Sequence, residues 1–259
     1  MTPPQPPPHP GPRAADPHQP PPADGPAPRN TGMPVAGGGA AAETAPGEVD
    51  GGPGSRRLPG QARGGQRPVP ASSQPVDLLD GVARWGAAGT PRGEFRLQPV
   101  RLERDLELIA GWMNDPVVSA FWELSGPAYL TEQHIASQLT CDGRSVPCLG
   151  LLNGAPMSYW EVYRADLDPI ARHYPSRPHD TGIHLLIGPP EYRGRGLGGT
   201  LIRAVAELIL RQRPRAQRVV AEPDVRNLPS VQAFARAGFR RAAVLDLPEK
   251  RAALMLRAR

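Results

Sequence analysis

Residues 188–201 read GPPEYRGRGLGGTL, and no other stretch so narrows what the chain can fold into. An apolar, strand-like run from Ile183 to Ile187 leads into it, and a helical pattern leads out. Between them, Arg193, Gly196 and Gly198 stand in R-x-x-G-x-G spacing. A strand–glycine loop–helix junction presents successive backbone N–H groups at the positive end of a helix dipole, where an anion can be held. Glycines let that backbone approach a pyrophosphate with no side chain in the way. The reading that follows is a site for a phosphate-bearing cofactor; the plainer alternative is a tight strand-to-helix turn. The spacing is not G-x-x-x-x-G-K-[ST], which argues against a P-loop NTPase. A dinucleotide fold would place an acidic residue about 20 residues on, and Glu222 lies further away, opening E-P-D-V-R-N.

The chain is not uniform along its 259 residues. Of its 35 prolines, 20 fall within residues 1–75, interleaved with Gly and Ala. Such a segment buries too little apolar surface to offset its ordering entropy. Residues 1–92 are therefore expected to form a disordered tail and residues 93–259 a single domain. Leu78, Leu79, Val82 and Trp85 form an apolar island in the tail, suited to a helical turn or two that docks on the domain. The net charge is +5, with the two signs mixed along the chain and only 5% aromatic residues, which argues against nucleic acid. Lys250 is the only lysine; every other basic residue is arginine. No apolar run is long enough to span a membrane, and the N-terminus lacks a charged-then-apolar leader pattern, so a cytoplasmic location is expected. Cys141 and Cys148 are expected to be reduced thiols, and the sequence offers no metal-ligand cluster.

The elements follow from periodicity. Phe95–Val100 reads as an opening strand. Leu106, Ile109, Ala110 and Met113 have helical spacing, and Asp115-Pro116 ends that helix. Thr131 is placed to cap a second helix. Strands at 146–152 and 155–163 flank Asn153-Gly154, a hairpin signal. A strand over 180–188 precedes the loop, and Leu197, Leu201, Val205 and Leu208 mark the helix after it. A short strand at 218–221, a helix over 227–237 closed by Gly238, and strands at 239–246 and 252–257 complete the domain. This order predicts an α/β (α+β) fold, a mixed central sheet with helices on both faces.

With the loop after the fourth strand and a late helix carrying Asn227, Ser230, Phe234, Gly238 and Phe239 in N-x-x-[AS]-x-x-x-[YF]-x-x-x-G-F spacing, the chain resembles the GCN5-related N-acetyltransferase superfamily. A narrower likeness rests on Trp112-Met-Asn-Asp-Pro, Phe121-Trp-Glu, Tyr159-Trp-Glu-Val-Tyr, Gly182-Ile-His-Leu-Leu-Ile-Gly and Glu222-Pro-Asp-Val-Arg-Asn. These stretches are similar to acyltransferases of siderophore biosynthesis. That resemblance implies acyl transfer from acetyl-CoA or a longer acyl-CoA to the amine or hydroxylamine of lysine, N6-hydroxylysine or an N-hydroxylated diamine. Siderophore-pathway enzymes would be its partners, and no metal would be required.

The resemblance also assigns residues. Leu186, Ile187, Gly188, Arg193, Gly194, Arg195, Gly196, Leu197, Gly198, Gly199 and Thr200, with Asn227 and Phe234, would bind the cofactor. His184 is the implied catalytic base, against a histidine that merely bonds a neighbouring backbone group. Asp224 would orient it, accept the proton or bind the acceptor's nitrogen, against a helix cap; Asn227 is open between pantetheine contact and cap. Phe234 stands where many members carry a tyrosine that protonates the leaving thiolate. Trp112, Trp122, Glu123, Tyr159 and Glu161 are the expected substrate contacts, with buried core as the alternative for the tryptophans. Two other readings stay open. One is an aminoglycoside 6′-N-acetyltransferase gathering Glu123, Glu161, Asp180, Glu222 and Asp224 around a polycation. The other is a non-catalytic coenzyme A-binding module whose PxxP spacing (Pro3 to Pro6, Pro4 to Pro7) recruits a partner.

Overall fold

A computed structural model describes residue 79, residues 81–140 and residues 142–259. The proline-rich segment with its PxxP spacing, Leu78 and Cys141 lie outside the described residues. The folded part begins earlier than residue 93. Strand β1 (Ala87–Thr90) pairs with β2 (Gly93–Pro99), and Leu79, Val82 and Trp85 are buried in the main core. The apolar island therefore packs, through a short 3₁₀ turn at Val82–Arg84, and the expected boundary at 92/93 cuts through a hairpin.

Three helices follow: α1 (Leu102–Met113), α2 (Pro116–Trp122) and α3 (Ala128–Leu139). Asp115-Pro116 does end α1, but it also starts α2. The Asp115 side chain accepts from Val117 N, and Pro116 occupies the first turn, where no donor is needed. Thr131 is not a cap: α3 starts three residues earlier, and Thr131 is buried in its second turn. Strands β3 (Ser145–Leu152) and β4 (Ala155–Arg164) form the expected hairpin, with Asn153 at φ 50° and Gly154 at φ 83° in its two-residue turn. Then come β5 (Thr181–Ile187), α4 (Leu197–Gln212), β6 (Arg218–Ala221), α5 (Leu228–Arg236), β7 (Arg240–Asp246) and β8 (Arg251–Ala258).

The eight strands form one sheet in the order β1-β2-β3-β4-β5-β6-β8-β7. Every neighbouring pair is antiparallel except β5–β6, which is parallel. That parallel contact spans only Thr181↔Val219 and Gly182↔Val220. Beyond Gly182 the two strands part, and residues 183–187 of β5 have no ladder partner on that side. The sheet carries helices on both faces, as expected. On one face, Leu201, Val205 and Leu208 of α4 and Phe234 of α5 pack with Phe95, Trp160, Ile183 and Val219. On the other, Ile109, Trp112, Met113 and Ile135 of α1 and α3 pack with Leu149, Tyr159 and Leu186. Alternation along β5 sends Ile183 to the first face and Leu186 to the second, and this sets which way His184 looks.

Candidate active site

Where β5 and β6 diverge, two carboxylates close on one imidazole. Glu161 on β4 and His184 on β5 are direct partners in the antiparallel ladder, so their side chains share a face. His184 Nδ1 lies 2.9 Å from Glu161 Oε2. Glu222, the first residue after β6, reaches across the gap so that its Oε1 meets His184 Nε2. Both ring nitrogens of His184 are thus engaged by carboxylates. Glu161 is held from the other side: His134 Nε2 and Gln138 Nε2 both lie 2.6 Å from its Oε1, and the Tyr159 hydroxyl donates to that oxygen at 3.0 Å. Glu222 accepts from the Tyr163 hydroxyl at 2.7 Å.

The electrostatics follow from this geometry. Burial alone would lower the His184 pKa, but the adjacent Glu222 charge and the bonds to both carboxylates raise it to about 10. Burial would raise Glu161 and Glu222; the bonds and charge of their histidine partners override it. Glu161 is held well below the usual carboxylate range and Glu222 at about 2. At neutral pH the array is an imidazolium between two carboxylates. The His184 side chain is 34% exposed, so the array opens toward solvent on one side.

Beside the array, joined to it through Trp122 and Lys250, lies a cleft of about 130 Å³. Phe121, Trp122 and Glu123 of the α2 end line one wall; Asp224, Arg226, Glu249 and Lys250 line the other. Trp122 is half-buried and sets its ring edge-on to His184, Tyr159 and His134, at centroid distances of 6.4, 5.5 and 6.2 Å. Glu123 is exposed in left-handed backbone at φ 55°, where α2 stops.

The glycine loop lies at the far end of β5. Gly194 (φ 72°) and Gly196 (φ 76°) are left-handed, and a Cβ on either would meet nothing within 4 Å; conformation rather than space calls for glycine there. Gly199 serves differently. Its missing Cβ lets α4 approach α5, where the Ala233 carbonyl would lie 3.2 Å from that Cβ. Thr200 N makes the first intrahelical bond, to Gly196 O. Among the described residues, the N–H groups of Gly194 through Gly199 have no acceptor, as the first turn of a helix leaves them. Arg193 points inward: its Nε donates to Ile187 O at 2.8 Å, one Nη donates to Gly188 O, and the other lies 2.8 Å from Asp115 Oδ1. Its guanidinium anchors the loop to the end of β5 and pairs with the Asp115 carboxylate.

Several expectations are corrected by these contacts. Asp224 does not orient His184. Its carboxylate accepts from Arg226 N at 2.7 Å and forms a two-pronged pair with the Arg226 guanidinium, so the E-P-D motif contributes Glu222 to the array instead. Asn227 is the cap of α5, accepting from Ser230 N at 3.1 Å. Trp112 is buried beneath the loop, its ring within 2.1 Å of where a Gly188 Cβ would be, and faces no cleft. Tyr159 is fully buried and acts behind Glu161. Phe234 is core, edge-on to Phe239 at 5.1 Å, so no hydroxyl stands there. The Leu186 side chain is core as well, which leaves its backbone on the unpaired edge of β5. The site also contains His134, Gln138, Tyr163 and Lys250, which the sequence reading did not select. His134 and Gln138 are four apart, one helical turn on one face, a pattern that any surface helix can show. Asp180 is buried in an ion pair with Arg218, 2.8 Å away, and is no part of the cleft. Among the described residues there is no metal-ligating cluster.

A parting between two central parallel strands, a glycine loop opening a helix beside it and a polar array in the gap define an acyltransferase architecture. Residues 101–247 match the family described as the acetyltransferase (GNAT) domain, and the chain belongs to that family. The chain is 36% identical over 152 residues to the N(6)-hydroxylysine O-acetyltransferase of Escherichia coli; the match covers 59% of this chain and 48%, about half, of that protein. It is 33% identical over 180 residues to the lysine N-acyltransferase MbtK of Mycolicibacterium paratuberculosis, covering 69% of this chain and 80% of that protein. Among solved structures, it is similar to an uncharacterized Bacillus halodurans protein, with a TM-score of 0.60 and 36% identity over 64% of this chain and 84% of that one.

Proposed function

We propose that this chain transfers an acyl group from acetyl-CoA or a longer acyl-CoA to the side-chain nitrogen of lysine, N6-hydroxylysine or an N-hydroxylated diamine, a step in assembling a hydroxamate siderophore. The observation that carries the reading is the Glu161–His184–Glu222 array in the gap between β5 and β6, on the same strand that leads into the glycine loop. The relatives' names supply the acceptor class; the geometry supplies a path.

The loop N–H groups from Gly194 to Gly199 suit the pyrophosphate of coenzyme A, helped by the dipole of α4. Arg193 keeps them aimed by tying the loop to the end of β5. The unpaired edge of β5 beyond Gly182 leaves backbone donors for the acyl carbonyl and for the oxyanion that develops on attack. The acceptor enters through the Trp122 cleft. With both ring nitrogens of His184 engaged by carboxylates, the proton acceptor in this scheme is Glu222, and His184 acts through it. The acceptor nitrogen arrives neutral, attacks the thioester carbonyl, and becomes strongly acidic as the C–N bond forms. Its proton passes to Glu222, whose negative charge the imidazolium had stabilised, while the C–S bond breaks. With Phe234 at the late-helix position, the thiolate leaves without a tyrosine donor and takes its proton from water. A hydroxylamine suits this site, being less basic than an alkylamine and largely neutral at pH 7.

An aminoglycoside acceptor fits less well. Of the five carboxylates that would have to gather around a polycation, Asp180 is buried with Arg218 and Asp224 is paired with Arg226. The test is thiol release from acetyl-CoA by the full chain, with N6-hydroxylysine, N-hydroxycadaverine, lysine and kanamycin in parallel. A fragment starting at residue 93 would lose β1. Turnover with a hydroxylated amine and none with kanamycin is expected; turnover with kanamycin alone would overturn the reading.

A further inference from the structure

The only lysine of the chain sits at this cleft. Lys250, in the turn between β7 and β8, places Nζ 3.9 Å from Glu222 Oε1, the same oxygen that faces His184. That separation is an ion-pair distance but too long for a hydrogen bond. Among the described residues the Lys250 ammonium has no hydrogen-bond partner, and its side chain is one-quarter exposed to the cleft. An ammonium with three unengaged donors beside an already neutralised carboxylate is available to a ligand. Arg226 gives the same wall a second cation; its side chain is 70% exposed, and Asp224 fixes its position. On the facing wall Glu123 is exposed, and its charge is close enough to act on Arg226.

We infer that Lys250, with Arg226 beside it, binds the α-carboxylate of an amino-acid acceptor, so that the enzyme selects lysine-type acceptors over diamines. The inference rests on the proposed function and narrows it. An α-amino acid presents a carboxylate and an ammonium on one carbon. On the β7–β8 side the wall holds Lys250 with Glu249, and Arg226 is paired with Asp224; Lys250, with no hydrogen-bond partner among the described residues, is the cation left for the carboxylate, and Glu123 on the α2 side is placed for the ammonium. The acceptor's methylenes then run past the Trp122 ring toward His184, which lies one carboxylate oxygen from Lys250. A diamine lacks the carboxylate and leaves the Lys250 ammonium unmatched. Lys250 is a specificity residue in this scheme, with no part in proton transfer.

The test compares kcat/KM for N6-hydroxylysine and N-hydroxycadaverine with one acyl-CoA, in the full chain and in Lys250→Met and Lys250→Arg. The wild type is expected to prefer the amino acid, and Lys250→Met to cut that preference by at least about tenfold, the effect of one charged hydrogen bond. Lys250→Arg should restore much of it. Calorimetric binding of lysine against cadaverine gives a readout that needs no turnover, and the wild type should bind lysine more tightly. Equal use of both acceptors, a preference unmoved by Lys250→Met, or equal binding of lysine and cadaverine would each overturn the inference while leaving acyl transfer intact. Tighter lysine binding lost in Lys250→Met, but with no turnover of any acceptor, would sustain the Lys250 assignment and sink the proposed reaction.

Discussion

Tyr163 and Glu222, 59 residues apart in the chain, meet at 2.7 Å across the gap where β5 and β6 separate. Tyr163 reaches that point because its ladder partner is Gly182. Its ring lies where a Gly182 Cβ would be, 2.0 Å from the ring carbon, and 4.8 Å by centroid from the His184 ring. One glycine thus sets the position of the tyrosine, and the tyrosine holds one oxygen of the carboxylate that faces His184.

Gly182→Ala tests this arrangement. The new methyl must displace the buried Tyr163 ring, since Gly182 backbone is fixed in the ladder on both sides. Overpacking of this kind costs about 1–3 kcal/mol. Both the thermal midpoint and kcat are expected to fall. A wild-type midpoint and rate would show that the Tyr163 ring can move without disturbing Glu222.

Tyr163→Phe keeps the ring and deletes the donor. Loss of a hydrogen bond to a buried charged group costs about 1.5–3 kcal/mol. Glu222 then loses one of the groups that hold its pKa down, so the acid limb of the pH–rate profile should move to higher pH. A profile unshifted from wild type would remove Glu222 from the reaction path.

The array also fixes how stability depends on pH. His184 has its pKa raised from an ordinary value of 6.5 to about 10, so its contribution is complete below pH 6.5 and is lost as the pH rises toward 10. Glu222 is lowered from 4.5 to about 2, so its contribution is present above pH 4.5 and fades as the pH falls toward 2. Urea midpoints should therefore form a plateau between these limits. In His184→Gln the two carboxylates face each other with no cation between them. That variant should gain stability as the pH falls from neutral through the carboxylate range, where a proton relieves the repulsion, while the wild type is flat there and then loses stability below pH 4.5. Its kcat should fall, because Glu222 loses the cation that positions it and fixes its charge. Parallel pH–stability curves for the two proteins would mean that His184 is not the charged centre of the array.

Much of this was legible in the sequence, and the reasons differ by residue. The loop and α4 were readable because glycine spacing and helical periodicity are local signals. The face of His184 was readable from alternation along β5; Glu161 was singled out only as a substrate contact through the family resemblance, and its place against His184 depends on the β4–β5 register, which is not a local pattern. Glu222 was passed over for Asp224, since the choice depends on where β6 stops and on Arg226 folding back onto Asp224, neither of which is a local pattern. The start of the domain was misplaced because a four-residue strand, Ala87–Thr90, carries no alternation of its own; it is a strand because β2 is beside it. Lys250 reaches the site only through the pairing of β6 with β8 and β8 with β7.

The glycine loop gives the last prediction, and Gly196 carries it. At φ 76° an L side chain is strained by about 1–2 kcal/mol, yet a Cβ there would touch nothing. Gly196→Ala should therefore lower stability only modestly. The strain is relieved by rotating the backbone toward negative φ, and that rotation turns away the N–H groups of Gly196 and Leu197, which open α4. The KM for acyl-CoA should rise about tenfold or more, while saturating donor restores most of kcat, if, as proposed, these groups hold the donor's phosphates in reactant and transition state alike. Gly199→Ala provides the contrast. Its backbone is ordinary helix, and the added methyl presses on the Ala233 carbonyl at 3.2 Å, pushing α4 away from α5. It should lower the thermal midpoint more than it raises the KM. If both variants changed stability and KM in the same proportion, the loop would be no more than a packed turn, and the donor's phosphates would have to be held elsewhere.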